Sequence, residues 1–422
     1  MSSRRRKAPR PAHRPAARRT TLATATGGRR RLALALAAAV LSLGGLAGCT
    51  GDEEPDAAPP HDVARAIGRA LDSRAHVVRR EDADAFRRLV AGGRVFRGEQ
   101  RAWFGNLTQL PVARLGYRVR PGSLVHDGDS YSVTADQVLQ LEGYDAAPVT
   151  SPVRFRFRPA AHAPARFLIT AVDPSDPQPW DLGPVLVRQG NGVLGVFDDG
   201  SIAAAPELIS SVESAIASVS ATVPYAWSRS AVVYALSDPA FLEGLHDVPG
   251  DHPEDLDAVA FPVGPSTRFA LNPRMLDRTG RERDRLVRHE LTHVAVGSRD
   301  DEAPVWLSEG LAEYVSVRPL PPQDRRIPEA AVLAAEHGVD DLPDDASFND
   351  RDSEAHYGLS WWAVEYLADT FGPDAPWQLL DAMNRADTEP DRVLRDRFGT
   401  STRRLAEQAD RMILDLYEPA VS

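Results

Sequence analysis

Arg285-Leu-Val-Arg-His-Glu-Leu-Thr-His-Val-Ala-Val-Gly297 is the stretch from which the rest of the chain is read. Leu286, Val287, Leu291, Val294 and Ala295 support a helix, and Gly297 supplies a stop. Within it His289 and His293 stand four residues apart, so they leave one helix face a turn apart and two imidazoles can meet one metal ion. Glu290 sits about 100° around the axis from His289, close enough to reach a water activated there without ligating the metal. Chance alone produces such a pentad in roughly one chain in a hundred. A third donor is therefore required, because hydrolytic zinc sites generally use three protein ligands and leave the fourth position to water.

One known arrangement places a third histidine six residues after the second, with a glycine between. Here position 299 is Arg and position 296 is Val, so the metzincin pattern fails. Asp301 and Glu302 are rival carboxylates, but they fall in a loop just past the helix. Trp306-Leu-Ser-Glu-Gly-Leu-Ala-Glu-Tyr314 comes next, with Glu309 sixteen residues beyond His293. This segment resembles the second signature of the gluzincin metallopeptidases. The resemblance implies one Zn²⁺ held by His289, His293 and Glu309, Glu290 as general base, and Glu313 holding a ligand histidine in its tautomer. It also implies a mixed sheet with an active-site helix, followed by a helical subdomain.

His356-Tyr357-Gly-Leu-Ser360-Trp-Trp-Ala-Val-Glu-Tyr366-Leu367 is similar to the helix that follows the active site in the peptidase MA-like group. That likeness makes Tyr357 the candidate donor to the oxyanion, with His356 as the alternative. It further implies that the strand around Phe269-Ala-Leu271 lies at the sheet edge beside the cleft, where an extended peptide can pair with it. The acidic run between Asp340 and Asp352 reads as a solvated loop.

Upstream the pattern differs. Residues 61–90 read as helical, with Val63, Ile67 and Leu71 on one face. Then Leu115, Tyr117 and Val119, Tyr131 and Val133, and Val153, Phe155 and Phe157 alternate with polar or small neighbours. Such runs indicate an antiparallel sheet whose wet face carries Arg154, Arg156 and Arg158. Ala66–Leu71 together with Phe104-Gly-Asn-Leu107 resembles the NTF2-like domains of bacterial exported proteins. The Pro-rich break Asp173–Trp180 separates this region, residues 61–175, from a second at 181–420. In the latter, Gly190-Asn-Gly192 signals a hairpin, 205–221 a helix, and 231–236 and 267–272 strands. The predicted class is α+β, an NTF2-like helix-plus-antiparallel-sheet domain followed by the gluzincin-type domain.

The first 48 residues carry ten Arg plus Lys7 and no acids. They end in an apolar run, residues 32–48, preceded by Arg29-Arg30-Arg31, and read as a secretory signal. Leu46-Ala47-Gly48-Cys49 resembles the lipobox of bacterial lipoproteins, which implies lipidation of Cys49, the only cysteine, and anchoring to the cell membrane outside the cytoplasm. Residues 49–60, acidic and Pro-rich, read as a disordered tether. Beyond the signal, 38 basic residues face 60 acidic ones, a net charge of roughly −22 and a poor match for nucleic acid. The expected function is an extracytoplasmic zinc-dependent peptidase acting on a peptide or protein substrate. A peptidase-fold lipoprotein that binds in the cell envelope with little turnover is the alternative.

Overall fold

The period-two stretches become strands in the computed structural model, which describes residues 60–245, 256–278, 280–384 and 388–417. Cys49, the signal segment and nearly all of the expected tether lie outside these residues. Strands β1 (Val112–Val119), β2 (Val125–Asp127), β3 (Ser130–Leu141), β4 (Val149–Ala160) and β5 (Ala163–Pro174) form one antiparallel sheet. Its order is β1-β3-β4-β5, with β2 pairing β3. Helix Pro60–Arg79 lays Val63, Ile67 and Leu71 onto Val133, Phe155, Phe157 and Ile169. Arg154, Arg156 and Arg158 alternate with the buried phenylalanines of β4 and stay exposed, as the alternation requires. The helical stretch expected over 61–90 stops at Arg79, where the chain turns through Glu81 at φ 55° into a short helix, Ala83–Arg87. A further helix, Arg94–Leu107, was not legible from the sequence.

The second sheet is built differently. Its strands are β6 (Leu186–Gly190), β7 (Val193–Phe197), β8 (Ala231–Ala235), β9 (Ala258–Val263) and β10 (Ser266–Leu271), in the order β6-β7-β8-β10-β9. β6 and β7 form the hairpin signalled by Gly190-Asn-Gly192. β7 and β8 are parallel, so helix Ala205–Thr222 makes the crossover between them. All five residues of β7 and of β8 are buried. Val193, Phe197, Val233 and Phe269 face one core with helices 205–222 and 281–296, while Leu194, Val196, Val232, Tyr234 and Phe261 face another with Trp180 and Phe241. A sheet covered on both faces needs continuous apolar strands rather than alternation. Layers of helix and sheet of both kinds make the protein α+β.

One expectation is corrected. β10 lies between β8, to which it is parallel, and β9, to which it is antiparallel, so Phe269–Leu271 is interior and the free edge belongs to β9. β9 escaped notice because Pro262 interrupts its apolar run, and edge strands are where proline is tolerated.

The described residues, 60 to 417, belong to one compact unit, and the two sheets are pinned together by buried polar contacts. Arg268 of β10, 2% exposed, donates from Nη2 to Asp145 Oδ1 at 2.8 Å and from Nη1 to Tyr234 Oη at 2.6 Å. Asp145 follows β3, and its Oδ2 accepts from the Leu141 amide.

Candidate metal centre

Helix Arg281–Val296 buries Val287, Leu291 and Ala295 at four-residue spacing against the second sheet's core. This fixes its rotation and turns His289, Glu290 and His293 toward a cleft. His289 is 6% exposed and Glu290 4%. The helix ends at Gly297, whose φ of 59° suits glycine, and the chain then returns past the last turn. Helix Val305–Val317 packs against it through Leu307, Leu311 and Val315 and presents Glu309, 5% exposed, to the two histidines.

His289 Nε2 lies 3.0 Å from Glu309 Oε2 and 3.4 Å from His293 Nε2, and His293 Nε2 lies 3.6 Å from Glu309 Oε2. One ligand atom from each of these residues therefore joins a single close group. The outer face of each ring is held by another carboxylate. His293 Nδ1 is 2.6 Å from Asp300 Oδ2, so the ring donates there and its Nε2 turns a lone pair inward. His289 Nδ1 is 3.1 Å from Glu313 Oε1, at the distance though not the angle of a hydrogen bond. Arg285 in turn donates from Nε to Glu313 Oε2 at 3.1 Å. Burial works against protonation of both imidazoles. Even so, the surrounding carboxylates, Glu309 and Glu313, raise His289 to about 10, and Glu309 with Asp300 raises His293 well above its ordinary value. The pair of histidines pulls Glu309 far below the usual carboxylate range in spite of its burial. The pocket thus demands positive charge between its three donors.

A metal ion fits that demand. Tetrahedral zinc with bonds of about 2.0–2.1 Å separates its ligand atoms by about 3.3–3.4 Å, and the three observed separations bracket this value. Glu290 is outside the triangle. Burial pushes it up to about 6, although the neighbouring histidines pull the other way.

The cleft extends on both sides of this group. A cavity of about 490 Å³ is bounded by β9 residues 258–262, His289, His293, Glu309 and Tyr357. Another of about 890 Å³ shares His289, Glu290 and Tyr357 and continues past Arg285 toward Ile327. Tyr357, near the start of helix Ser353–Phe371, has its ring 6.0 Å from that of His289. Its hydroxyl is kept protonated by burial and by the nearby carboxylates, Glu309 first among them. His356 points elsewhere, with Nδ1 2.9 Å from the Phe348 carbonyl oxygen. Neither Asp301 nor Glu302 joins the ligand group, although Asp301 lines the cleft.

Asp300 was missed by sequence reasoning. Seven residues after His293 and beyond a glycine stop, it has no helical periodicity to mark it. Only the one-turn 3₁₀ segment Gly297–Arg299 brings it back to the ring. Asp300→Ala should lower metal affinity about 10–100-fold while leaving the fold intact, because the ring loses the acceptor that sets its tautomer. Competition with a chromogenic chelator measures this, and unchanged affinity would remove Asp300 from the support of His293.

Gly310 explains a further letter of the second motif. A Cβ placed there would lie 2.6 Å from the Ser360 carbonyl oxygen and 2.9 Å from Val364 Cγ2, on the helix that carries Tyr357. Gly310→Ala should therefore cost about 1–3 kcal/mol through overpacking and shift Glu309 with it. Chemical denaturation with metal titration tests both effects, and a variant as stable as the parent would show that the helices can part without penalty.

No family model matches the chain, and no curated protein matches it. Among solved structures it matches a chain named Rd1NTF2_05 with five substitutions, at 14% identity and a TM-score of 0.22, over 27% of this chain and 98% of that one.

Proposed function

We propose that residues 181–420 are a gluzincin-like zinc peptidase domain, carried behind an NTF2-like domain at 61–175 on a chain exported and lipid-anchored through Cys49. The observation that carries this reading is the closed triangle of His289 Nε2, His293 Nε2 and Glu309 Oε2, three acceptor atoms at zinc-ligand spacing. Those residues would hold a zinc ion, which when bound supplies Lewis acidity toward a carbonyl oxygen and toward water. Glu290 accepts the proton of the attacking water and returns it to the leaving amine. Tyr357 donates its phenolic proton to the developing oxyanion. Glu313 and Asp300 keep the two imidazoles oriented, and Arg285 keeps Glu313 ionised.

The substrate reading follows from the shape of the site. The cleft runs past the metal triangle in both directions and has the free edge of β9 along one wall, which suits an extended peptide paired main chain to main chain. Methylating backbone nitrogens of a cleaved peptide near its scissile bond should raise KM about tenfold or more at one or two positions. Uniform KM across a methylation scan would count against strand pairing.

The decisive experiment is elemental analysis of the purified chain combined with a chelator-sensitive peptide-library assay. One zinc per chain with chelator-reversible cleavage supports the peptidase. Stoichiometric zinc without cleavage of any peptide would favour the envelope-binding alternative, and absence of metal would overturn the zinc peptidase.

A further inference from the structure

Five exposed arginines gather on the outer face of the first sheet, the side turned away from helix 60–79. Along β4, Arg154, Arg156 and Arg158 follow one another at two-residue steps of about 7 Å. Arg120, just past β1, flanks Thr134 of β3 from the side opposite Arg154: its amide donates to the Thr134 carbonyl, while Thr134 pairs with Arg154. Arg118 lies one step back along β1, beside Asp136. The inward positions between them carry Tyr117, Val119, Phe155 and Phe157, so the pleat sends all five guanidinium groups to one side.

The patch is poorly compensated. Outward positions of β1–β5 hold three acids, Asp127, Asp136 and Asp173, and only Asp136 pairs with one of the five, accepting from Arg120 Nε at 2.6 Å. The side chains of Arg118, Arg154, Arg156 and Arg158 make no ion pair or hydrogen bond among the described residues. Like charges in a row repel one another, and an anionic partner removes that repulsion. Elsewhere past residue 48 stand 33 basic residues against 57 acidic ones, so a net basic face is an exception on this chain. Val125 adds an apolar element: 55% exposed, it flanks Ser132 of β3 opposite Arg156. No aromatic side chain occupies an outward position of the five strands, so the face lacks the stacking platform that single-stranded nucleic acid uses.

We propose that this face docks on a bilayer surface bearing anionic phosphate headgroups. Guanidinium groups match phosphate with paired hydrogen bonds. Clusters of about four to eight basic residues are enough to draw a protein to such a surface, and Val125 enters its interfacial region. The choice of lipid rests on the anchor proposed above. Eleven residues, 49–59, separate Cys49 from the first helix and span at most about 40 Å when fully extended, so the anchored domain stays within reach of the bilayer. The acidic remainder does not prevent docking, because a Debye length of about 8 Å screens charges on the far side of the domain.

Cosedimentation of residues 50–422 tests this; the piece holds the whole compact unit and omits both Cys49 and the basic segment ahead of it. Vesicles of phosphatidylcholine alone are compared with vesicles in which about a third of the lipid is phosphatidylglycerol. Partitioning about tenfold or more stronger on the anionic vesicles is expected, and raising salt from about 0.1 to 1 M should abolish the difference. Replacing Arg154, Arg156 and Arg158 together by Gln should weaken it about tenfold or more. The same loss of charge at Arg351, Arg403 and Arg411, exposed on other elements, should change it less than about twofold. Near-UV circular dichroism checks that each variant is folded. Because the assay uses neither metal, peptide nor the lipid on Cys49, its failure is distinguishable from failure of the proposed function. Equal binding to both kinds of vesicle, no binding to either, or an equal loss in the two triple variants would overturn the proposal. Tighter binding to duplex DNA than to the anionic vesicles at the same salt would overturn it too, giving the face to nucleic acid.

Discussion

Glu290→Gln is expected to reduce kcat on a cleaved peptide by about 10³-fold or more while zinc content stays at one per chain. The substitution keeps the size of a side chain that is 4% exposed, so no cavity opens and the helix packing through Val287 and Leu291 is untouched. It also spares the metal triangle, because Glu290 is not one of the three converging donors. What it removes is a proton acceptor whose position in a buried wall lifts it to about 6, closer to neutrality than an exposed glutamate. General acid–base groups contribute about 10²–10⁴ in rate, and a 10³-fold loss corresponds to about 4 kcal/mol of barrier. KM should move little, since the residue acts on protons and not on the substrate's flanking backbone. Near-normal turnover in the glutamine variant, with metal present, would take the general base away from Glu290.

Both motifs that converge on the candidate metal group were legible in the sequence because each rests on local periodicity. His289 and His293 share a face by their spacing alone, and Glu309 and Glu313 lie one turn apart on a helix that reads as helix. The structure adds what spacing cannot supply. Glu313 reaches His289, whereas His293 takes Asp300 from a loop, and no pattern foretells a loop's return path. Gly310 reads as an ordinary helix residue until Ser360 is found against it. In the first sheet, the alternation of Phe155 and Phe157 with arginines marks a half-wet strand. In the second, β9 was lost because its residues Ala258–Val263 are apolar throughout, leaving no alternation, and Pro262 mimics a break, and the edge was consequently placed on β10. Sheet order is a long-range property, and 258–263 meets 266–271 only through a hairpin whose other side also touches the first sheet at Val149.

Glu309→Ala should lose the metal outright, with zinc falling from about one equivalent to near zero after dialysis, and activity falling with it. Truncation removes one corner of a three-donor triangle and leaves two imidazoles 3.4 Å apart. Two neutral histidines do not make the three-ligand site that hydrolytic zinc requires. The effect should far exceed that of Asp300→Ala, because Asp300 only orients a donor whereas Glu309 is one and brings the only negative charge among the three. The fold should survive, since neighbours Leu307 and Leu311 anchor the helix independently of the carboxylate. Far-UV circular dichroism of the metal-free variant would then match that of metal-stripped parent protein. Elemental analysis measures the loss directly: full zinc occupancy in Glu309→Ala would mean that some other group completes the site, and the assignment of the second motif would have to be abandoned.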